Sequence, residues 1–492
     1  MSKAIPRIKI PIRQNELSID KALQYLDYVF SQFEKNATQI RSDYDMYCLN
    51  HPILGKVRAY DDTEINNIVL VPDLKAMVDW KTGYVFGNPI KYAQNKTSDT
   101  DDITYLQKWG RNVCQRAIDR EVGSWAYATG VGYYFIEPRS DDFDIENEAP
   151  YTIYCVNSDT CAKVYSSFLG NKPLFDIIYT TYDEIDKDKL KQTVKVLEIY
   201  FPNTLYTFEK RVGDFGWKKV DEQNRGIAKP LPLVEKRPNP DGIGIVAMGK
   251  SLQEAVDKIV SNGLDNIEDT VNEIFVYKNV NLGKTPEEQK RNHIAMKRNG
   301  AVVLNTPNGS TAEADLDTIS PKLSLADVKE LFSIINEKFH STLGVPMAMS
   351  STNSGGTTKS GSEVANGYDN AYNRALDDIN SFINADTELL QKILWICKNT
   401  PNNKVDNLAA SEIEIKYSIN LTDNILTKTQ SYVNLVQAGV PPTIALRICK
   451  ISNDPEADGA LIEQYSEKKA QMEAARNSAV PQKATADNTS QE

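Results

Sequence analysis

The run KSLQEAVDKIVSNGLDNIEDTVNEI, residues 250–274, decides how this chain is read. Leu252, Val256, Ile259, Val260, Leu264, Ile267, Val271 and Ile274 recur at three- and four-residue steps, the period of one apolar helix face. Lys250, Glu254, Asp257, Lys258, Asp265, Glu268 and Asp269 fill the other side and read as its solvated face. At ~1.5 Å per residue such a helix runs roughly 40 Å, long for an ordinary domain. A second amphipathic helix is expected over residues 325–340, with Leu325, Val328, Leu331, Phe332, Ile335 and Phe339 on its face. Ser324 with Asp327 reads as its capping start, and Gly344 followed by Pro346 as its stop. Two such helices bracketing a small insert predict an antiparallel stalk with a compact tip.

A chain of 492 residues, 41% of them hydrophobic, has room for several domains and a sizeable core. Lysine and arginine number 56 against 67 acidic residues, a formal charge of −11. That balance argues against a protein that grips nucleic acid through a basic face, though not against one past which nucleic acid slides. No apolar run approaches the roughly 18–20 residues needed to span a bilayer, so no membrane partner is expected. MSKAIPRIKIPIRQNE at the start has no apolar signal core and is not expected to be a secretory leader. Cys48, Cys114, Cys155, Cys161, Cys397 and Cys449 are scattered without a CxxC and read as reduced thiols made in a cytosol. With only His51, His293 and His340 to accompany them, neither a metal site nor a cofactor is expected.

Around the stalk the pattern changes several times. Residues 1–15 read as an extended arm. Helical periodicity marks residues 19–33, 73–86 and 103–127, and TGVGYYFIEP (129–138) reads as a turn into a strand. From 151 to 220, YTIYCV, AKVYSSF, FDIIYTTY, VKVLEIYF, LYTFEKRV and GWKKV are short β-branched and aromatic runs between turns, as in an antiparallel meander. Residues 228–241 hold Pro230, Pro232, Pro238 and Pro240 and read as a linker. Within the insert, FVYKNV and AVVLN (301–305) are expected to pair as strands. Thr285, Pro286, Glu287 and Glu288 start a helix between them that Gly300 ends. VPMAMSSTNSGGTTKSGS, 345–362, is a polar loop, followed by a helix to about residue 399 with a kink near 384–386. Residues 404–421 look extended. Helices are expected over 422–437, 441–449 and 454–476, and a polar tail closes the sequence.

One motif needs weighing. Gly244 to Ser251 matches G-x-x-x-x-G-K-[ST] letter for letter. A phosphate-binding loop follows a buried parallel strand, whereas KRPNPDGI precedes this one, and its prolines argue against an interior strand. A glycine-hinged entry into the stalk is the simpler reading; a nucleotide hydrolase using Lys250 and Ser251 remains the alternative, as does a monomeric adaptor. His293, His340 and the acidic pairs Asp101/Asp102 and Asp377/Asp378 read as ordinary surface or core residues. The Ser/Thr/Gly loop is either a linker or a place for moving contacts.

The order of these pieces resembles the portal proteins of tailed double-stranded-DNA bacteriophages, especially the siphophage type. DLKAMVDWKTGYVFGNPI (73–90) is similar to that family's N-terminal helix and turn, and LQEAVDKIVSNGLDNIEDTVNEIFVYKN (252–279) to its first stem helix. LNTPNGSTAEADLDTISPKLS (304–324) resembles the clip-to-stem return, and SINLTDNILTKTQSYVNLVQAGVPPTIALRIC (418–449) the C-terminal helices. The resemblance implies an α+β, portal-type fold. Its wing would cover 1–245, stem helices 246–275 and 322–344, and a small α/β clip 276–321. A tunnel loop would take 345–361, a long wing helix 362–405, an α-helical crown 406–476 and a disordered tail 477–492.

It also implies a twelve-fold ring at one capsid vertex of the virion, assembled in the host cytoplasm, with DNA passing through its channel. Ser350, Asn353, Thr357, Thr358 and Lys359 would be the tunnel-loop residues facing DNA. Lys284, Glu287, Glu288, Lys290 and Arg291 would lie on the clip where the terminase large subunit and the head–tail adaptor dock. Major capsid and scaffolding proteins would be the remaining partners, and no residue would be catalytic. An acidic channel wall would keep DNA mobile, and one lysine per loop would add weak, salt-screened contacts.

Overall fold

A computed structural model of the chain describes residues 4–57, 66–94, 101–185, 191–271 (apart from 212, 215, 227 and 228), 274–278, 285–299, 315–319, 325–346, 361–419, 425–449, 451–452 and 455–478. It forms two compact units, Met1–Tyr417 and Ser418–Glu492.

In the first unit the chain runs β1 (Ile8–Ile10), α1 (Ile19–Gln24), α2 (Leu26–Tyr47), α3 (Asp73–Phe86), β2 (Lys91–Gln94), α4 (Asp101–Asn112) and α5 (Gln115–Thr129). Seven further strands follow: β3 (Gly132–Pro138), β4 (Tyr151–Val156), β5 (Cys161–Ser166), β6 (Pro173–Ile185), β7 (Lys191–Tyr200), β8 (Thr204–Arg211) and β9 (Lys218–Asn224). Then come β10 (Leu233–Lys236), α6 (Ile245–Val271), β11 (Ile274–Lys278), α7 (Pro286–Asn299), β12 (Asp315–Ile319), α8 (Leu325–Leu343), α9 (Gly361–Lys398) and β13 (Ile413–Lys416).

The expected meander is present as β5 to β9, antiparallel in sequence order. The N-terminal arm joins it as an edge strand, β1 lying parallel to β5. Ile8, Ile10 and Ile12, two residues apart, bury one face of that strand, which period-2 alternation explains. Leu26, Val29, Phe33 and Ala37 of α2 share one helix face and close this core with Phe175, Ile177, Leu197 and Phe208.

A second sheet, β10–β3–β4, corrects the linker reading of 228–241. Leu233, Val234, Glu235 and Lys236 are all buried and pair antiparallel with β3. The prolines flank this edge strand without interrupting it, and the Pro232 carbonyl accepts from Ile136 N at 3.0 Å. Behind the sheet, α9 runs unbroken for 38 residues with no break at 384–386. Its Leu390, Ile393 and Leu394 pack with Trp109, Val122, Tyr134 and Ile153. The helix expected over 103–127 is two, α4 and α5, parted at Cys114, whose φ of 55° is left-handed. The solvated reading of Asp377/Asp378 fails for one member: Asp378 meets Lys81 at 2.7 Å and accepts from Tyr127 Oη at 3.2 Å.

Charged groups sit deep in this core, each with partners. The ammonium of Lys236 lies 2.7 Å from Asp386 and donates to Tyr134 Oη at 3.1 Å. It stands 5.0–5.6 Å from the ring centroids of Phe86, Tyr134, Phe382 and Tyr417. Beside it, Asp119 accepts from Tyr134 Oη at 3.0 Å, and burial lifts its carboxyl to about 7 against the pull of Lys236. In a second cluster Glu388 binds Lys163 and Lys392. Burial raises the Glu388 carboxyl, but the two lysines outweigh it and hold it down to about 2. Burial and the charge of Lys163 bring Lys392 down to about 8, and burial lifts Asp176 to about 6.

In the second unit, α10 (Ile425–Gln437), α11 (Pro442–Cys449) and α12 (Pro455–Ser478) match the three expected helices. Gly439 (φ 86°) ends α10 in a Schellman turn, its N–H bonding Val436 O and that of Val440 bonding Leu435 O, both at 3.0 Å. Pro442 then occupies the first position of α11, where its missing N–H costs nothing.

Lys236→Met is expected to lower folding free energy by about 3–5 kcal/mol, because it strands the Asp386 carboxylate in the core. Denaturant unfolding measures this, and a loss under about 1 kcal/mol would be that of an ordinary packing change. Asp119 and Asp176 ionise at higher pH in the folded chain than unfolded, near 3.8. Their stabilising contribution is therefore complete below about pH 4 and is lost as pH rises through 6 to 7. Between pH 5 and pH 8 the stability of Asp119→Asn, which cannot ionise, should rise relative to the wild type by roughly 2–3 kcal/mol, by the same melts.

Candidate functional site

The stalk expected from the sequence exists as α6 and α8, which pack against each other. Gly249 of α6 lies so close to α3 that an added Cβ would stand 2.6 Å from Leu74 Cδ2 and 3.3 Å from Leu343 Cδ1. Gly344 (φ 71°) terminates α8, its N–H bonding His340 O at 3.0 Å. Arg374 of α9 donates to Thr342 O at 3.0 Å and Ser341 O at 3.2 Å, satisfying carbonyls the helix end leaves open. His340 Nδ1 donates to Val345 O at 3.2 Å. The end of α8 that leads into the polar loop is therefore fixed from three sides.

The other side of α6 is solvated only in part: Lys258 and Glu268 are exposed, but Asp257 and Asp265 are not. Gln253, Asp257, Ser261 and Asp265, four residues apart, are all buried. They form a row of acceptors for an extended strap, residues 66–72, that runs the opposite way along the helix. Asn67 N donates to Asp265 Oδ1 at 2.7 Å, Val69 N to Ser261 Oγ at 3.0 Å and Val71 N to Asp257 Oδ1 at 3.0 Å. Gln253 Oε1 takes Leu74 N at 3.0 Å, serving a free donor in the first turn of α3, and its Nε2 donates to Val71 O at 2.7 Å. The fit is metric. Four helical residues advance about 6 Å, and two extended residues about 6.6 Å.

Basic side chains close the row from behind. Lys56 reaches Asp265 at 2.6 Å, and His51 Nδ1 lies 2.6 Å from Asp257 Oδ2. The other ring nitrogen of His51 lies 3.1 Å from Met46 O. The buried ring thus bridges α6 to the end of α2. Meanwhile Leu264 and Ile267, expected on the buried face, are 40% and 44% exposed. Sequence reasoning missed this row, yet its signal was present: polar residues at a strict four-residue step in a helix otherwise built for burial.

The letter match to a phosphate-binding loop does not make one. Residues 245–251 are the first turns of α6, not a loop. Gly244 is there because a Cβ would strike Ala128 O at 2.3 Å. Lys250 donates to Ser42 Oγ at 2.8 Å and lies 3.9 Å from Asp43, so its ammonium is directed to α2.

At the far end of the stalk, β11 pairs antiparallel with β12, Ile274 opposite Ile319. The expected partner, 301–305, lies outside the described residues. Between these strands α7 begins at Pro286, with Glu288 N donating to Thr285 Oγ1 at 3.3 Å, the start the sequence indicated. Glu287, Lys290 and Arg291 are exposed on α7, while Glu288 is half-buried; Lys284 lies outside the described residues. So do Ser350, Asn353, Thr357, Thr358 and Lys359. Among the described residues no cluster of three His, Cys, Asp or Glu side chains could hold a metal ion.

Ser261→Ala should release the strap locally, exposing the Val69 amide to hydrogen exchange about 5- to 10-fold faster, the loss of about 1 kcal/mol. Unchanged protection at Val69 would show that the strap is held by other means.

Comparison with known proteins places this architecture. The chain is 23% identical over 446 residues to the portal protein of Bacillus phage SPP1, covering 84% of this chain and 79% of that one. Two solved structures share a partial likeness: the neck of an empty gene transfer agent particle (TM-score 0.40, 12% identity) and a native gene transfer agent virion (TM-score 0.39, 11% identity). Each covers 77% of this chain and 88% of the solved one. The sequence profile of the family described as phage portal protein, SPP1 Gp6-like, matches residues 26–481, and the chain belongs to that family.

Proposed function

We propose that copies of this chain close into a ring at one capsid vertex, through whose channel double-stranded DNA enters the head during packaging and leaves during ejection. The match of the portal family across residues 26–481 carries this reading. The order of elements supports it. An α+β body (1–245 with 362–405) serves as wing, α6 and α8 as stem, and 276–321 as clip. The loop 345–361 is the tunnel loop, 406–476 the crown and 477–492 the tail. The chain acts as a structural ring and not as an enzyme.

The clip, through Lys284, Glu287, Glu288, Lys290 and Arg291, is where the terminase large subunit and later the head–tail adaptor dock. Ser350, Asn353, Thr357, Thr358 and Lys359 are the tunnel-loop residues that face DNA in the channel. Major capsid and scaffolding proteins surround the wing in the assembled virion. The charge of −11 suits a conduit, since an acidic wall repels phosphates and leaves DNA free to slide. Arg374 and His340 hold the end of α8, the point at which the loop leaves the stem.

Light scattering and particle imaging of the purified protein should find a closed ring of roughly a dozen subunits with an open centre. A chain that stays monomeric at high concentration and with its scaffold present would overturn the reading. Deleting residues 350–359 should leave the ring intact and impair DNA packaging; full packaging by such rings would remove the loop from the channel's working parts.

A further inference from the structure

In the second unit, α12 leaves its own neighbours almost at once. Ser452 Oγ donates to Asp458 Oδ2 at 2.5 Å and Gly459 lies against Thr443, but every residue from 460 to 472 is exposed. Leu461, Tyr465 and Met472 are 62%, 72% and 71% exposed. Its 24 residues thus find little of the tertiary packing that supplies most helical stability, and a covering surface would supply it.

The pattern of side chains identifies the cover. At about 100° per residue, Leu461, Tyr465 and Met472 fall within an arc of roughly 40°, with Lys468 and Lys469 on its two edges. The opposite side, roughly 180–260° away, carries Ala460, Glu463, Glu467 and Ala470. One side is thus apolar and basic, the other small and acidic. The two match at equal height: Leu461 stands level with Ala460, Met472 with Ala470, and Lys468 with Glu467, within about 3 Å along the axis. Alanines admit large side chains at close approach, and the lysines meet carboxylates. A face complementary to the opposite side of the same element, in the same register, is what a rotational ring requires.

We infer that α12 packs side by side with α12 of the next copy of this chain, the stripe Leu461–Tyr465–Met472 of one lying on Ala460, Glu463, Glu467 and Ala470 of the other. This inference rests on the ring reading and adds a specific subunit contact to it.

A chain carrying Ala470→Cys and Met472→Cys tests it. The two positions lie on opposite sides of the helix, so they cannot bridge within one chain. Mild oxidation of assembled rings should give a ladder of covalent multimers on a non-reducing gel, with neither single variant exceeding the wild type, whose Cys48 and Cys114 set the background. Rings that form, by light scattering, but give no ladder overturn the α12 contact and leave the ring standing. A ladder that stops at the dimer overturns the side-by-side arrangement in favour of a symmetric pair. A wild-type chain that forms no ring overturns both readings.

Discussion

The ammonium of Lys236 is the point at which the body of this protein is tied together. It leaves an edge strand, enters a cage made by Phe86 of α3, Tyr134 of β3, Phe382 of α9 and Tyr417, and meets the carboxylate of Asp386. An unpaired charge so deep is not tolerated, and a paired one is tolerated only with its remaining protons satisfied. That demand sets the mutual positions of four elements, since each must present its ring or oxygen at the right distance. Burial raises the carboxyl of Asp119, a second acid beside this lysine, against the pull of Lys236, and the charge of Asp386 adds to the rise.

The stalk is attached to that body by a different device. Four polar side chains on α6 hold a strap of backbone along its length, and they can do so because four helical residues and two extended ones advance by nearly the same distance. Burial makes each bond matter, since an amide left without an acceptor there keeps its full desolvation cost. Glycines at 244 and 249 let the root of the same helix lie directly against α5 and α3.

Much of the fold was legible because periodicity survives folding. The helices at 73–86 and 425–437, the meander and the start of α7 were all readable from spacing and caps. The strand 233–236 was not, because four flanking prolines look like a linker until β3 provides hydrogen bonds to the residues between them. Nor was the polarity of α6: Asp257 and Asp265 look like solvent-facing acids until His51, Lys56 and the strap are brought to them from about 200 residues away. The phosphate-loop letters misled for the same reason, as those glycines serve helix packing.

By itself the sequence determined the alternation of helical and extended segments, the two stalk helices, the acidic balance and the order of parts by which the chain joins the portal proteins. These are properties of neighbours in the chain, set by side-chain period and backbone preference. Only the tertiary structure decided which charges are buried and with whom, that the N-terminal arm completes a sheet, and that α12 stands bare in a single copy. Those depend on pairs of groups hundreds of residues apart, whose free energy is set by distance and by the exclusion of water. No local pattern encodes either quantity.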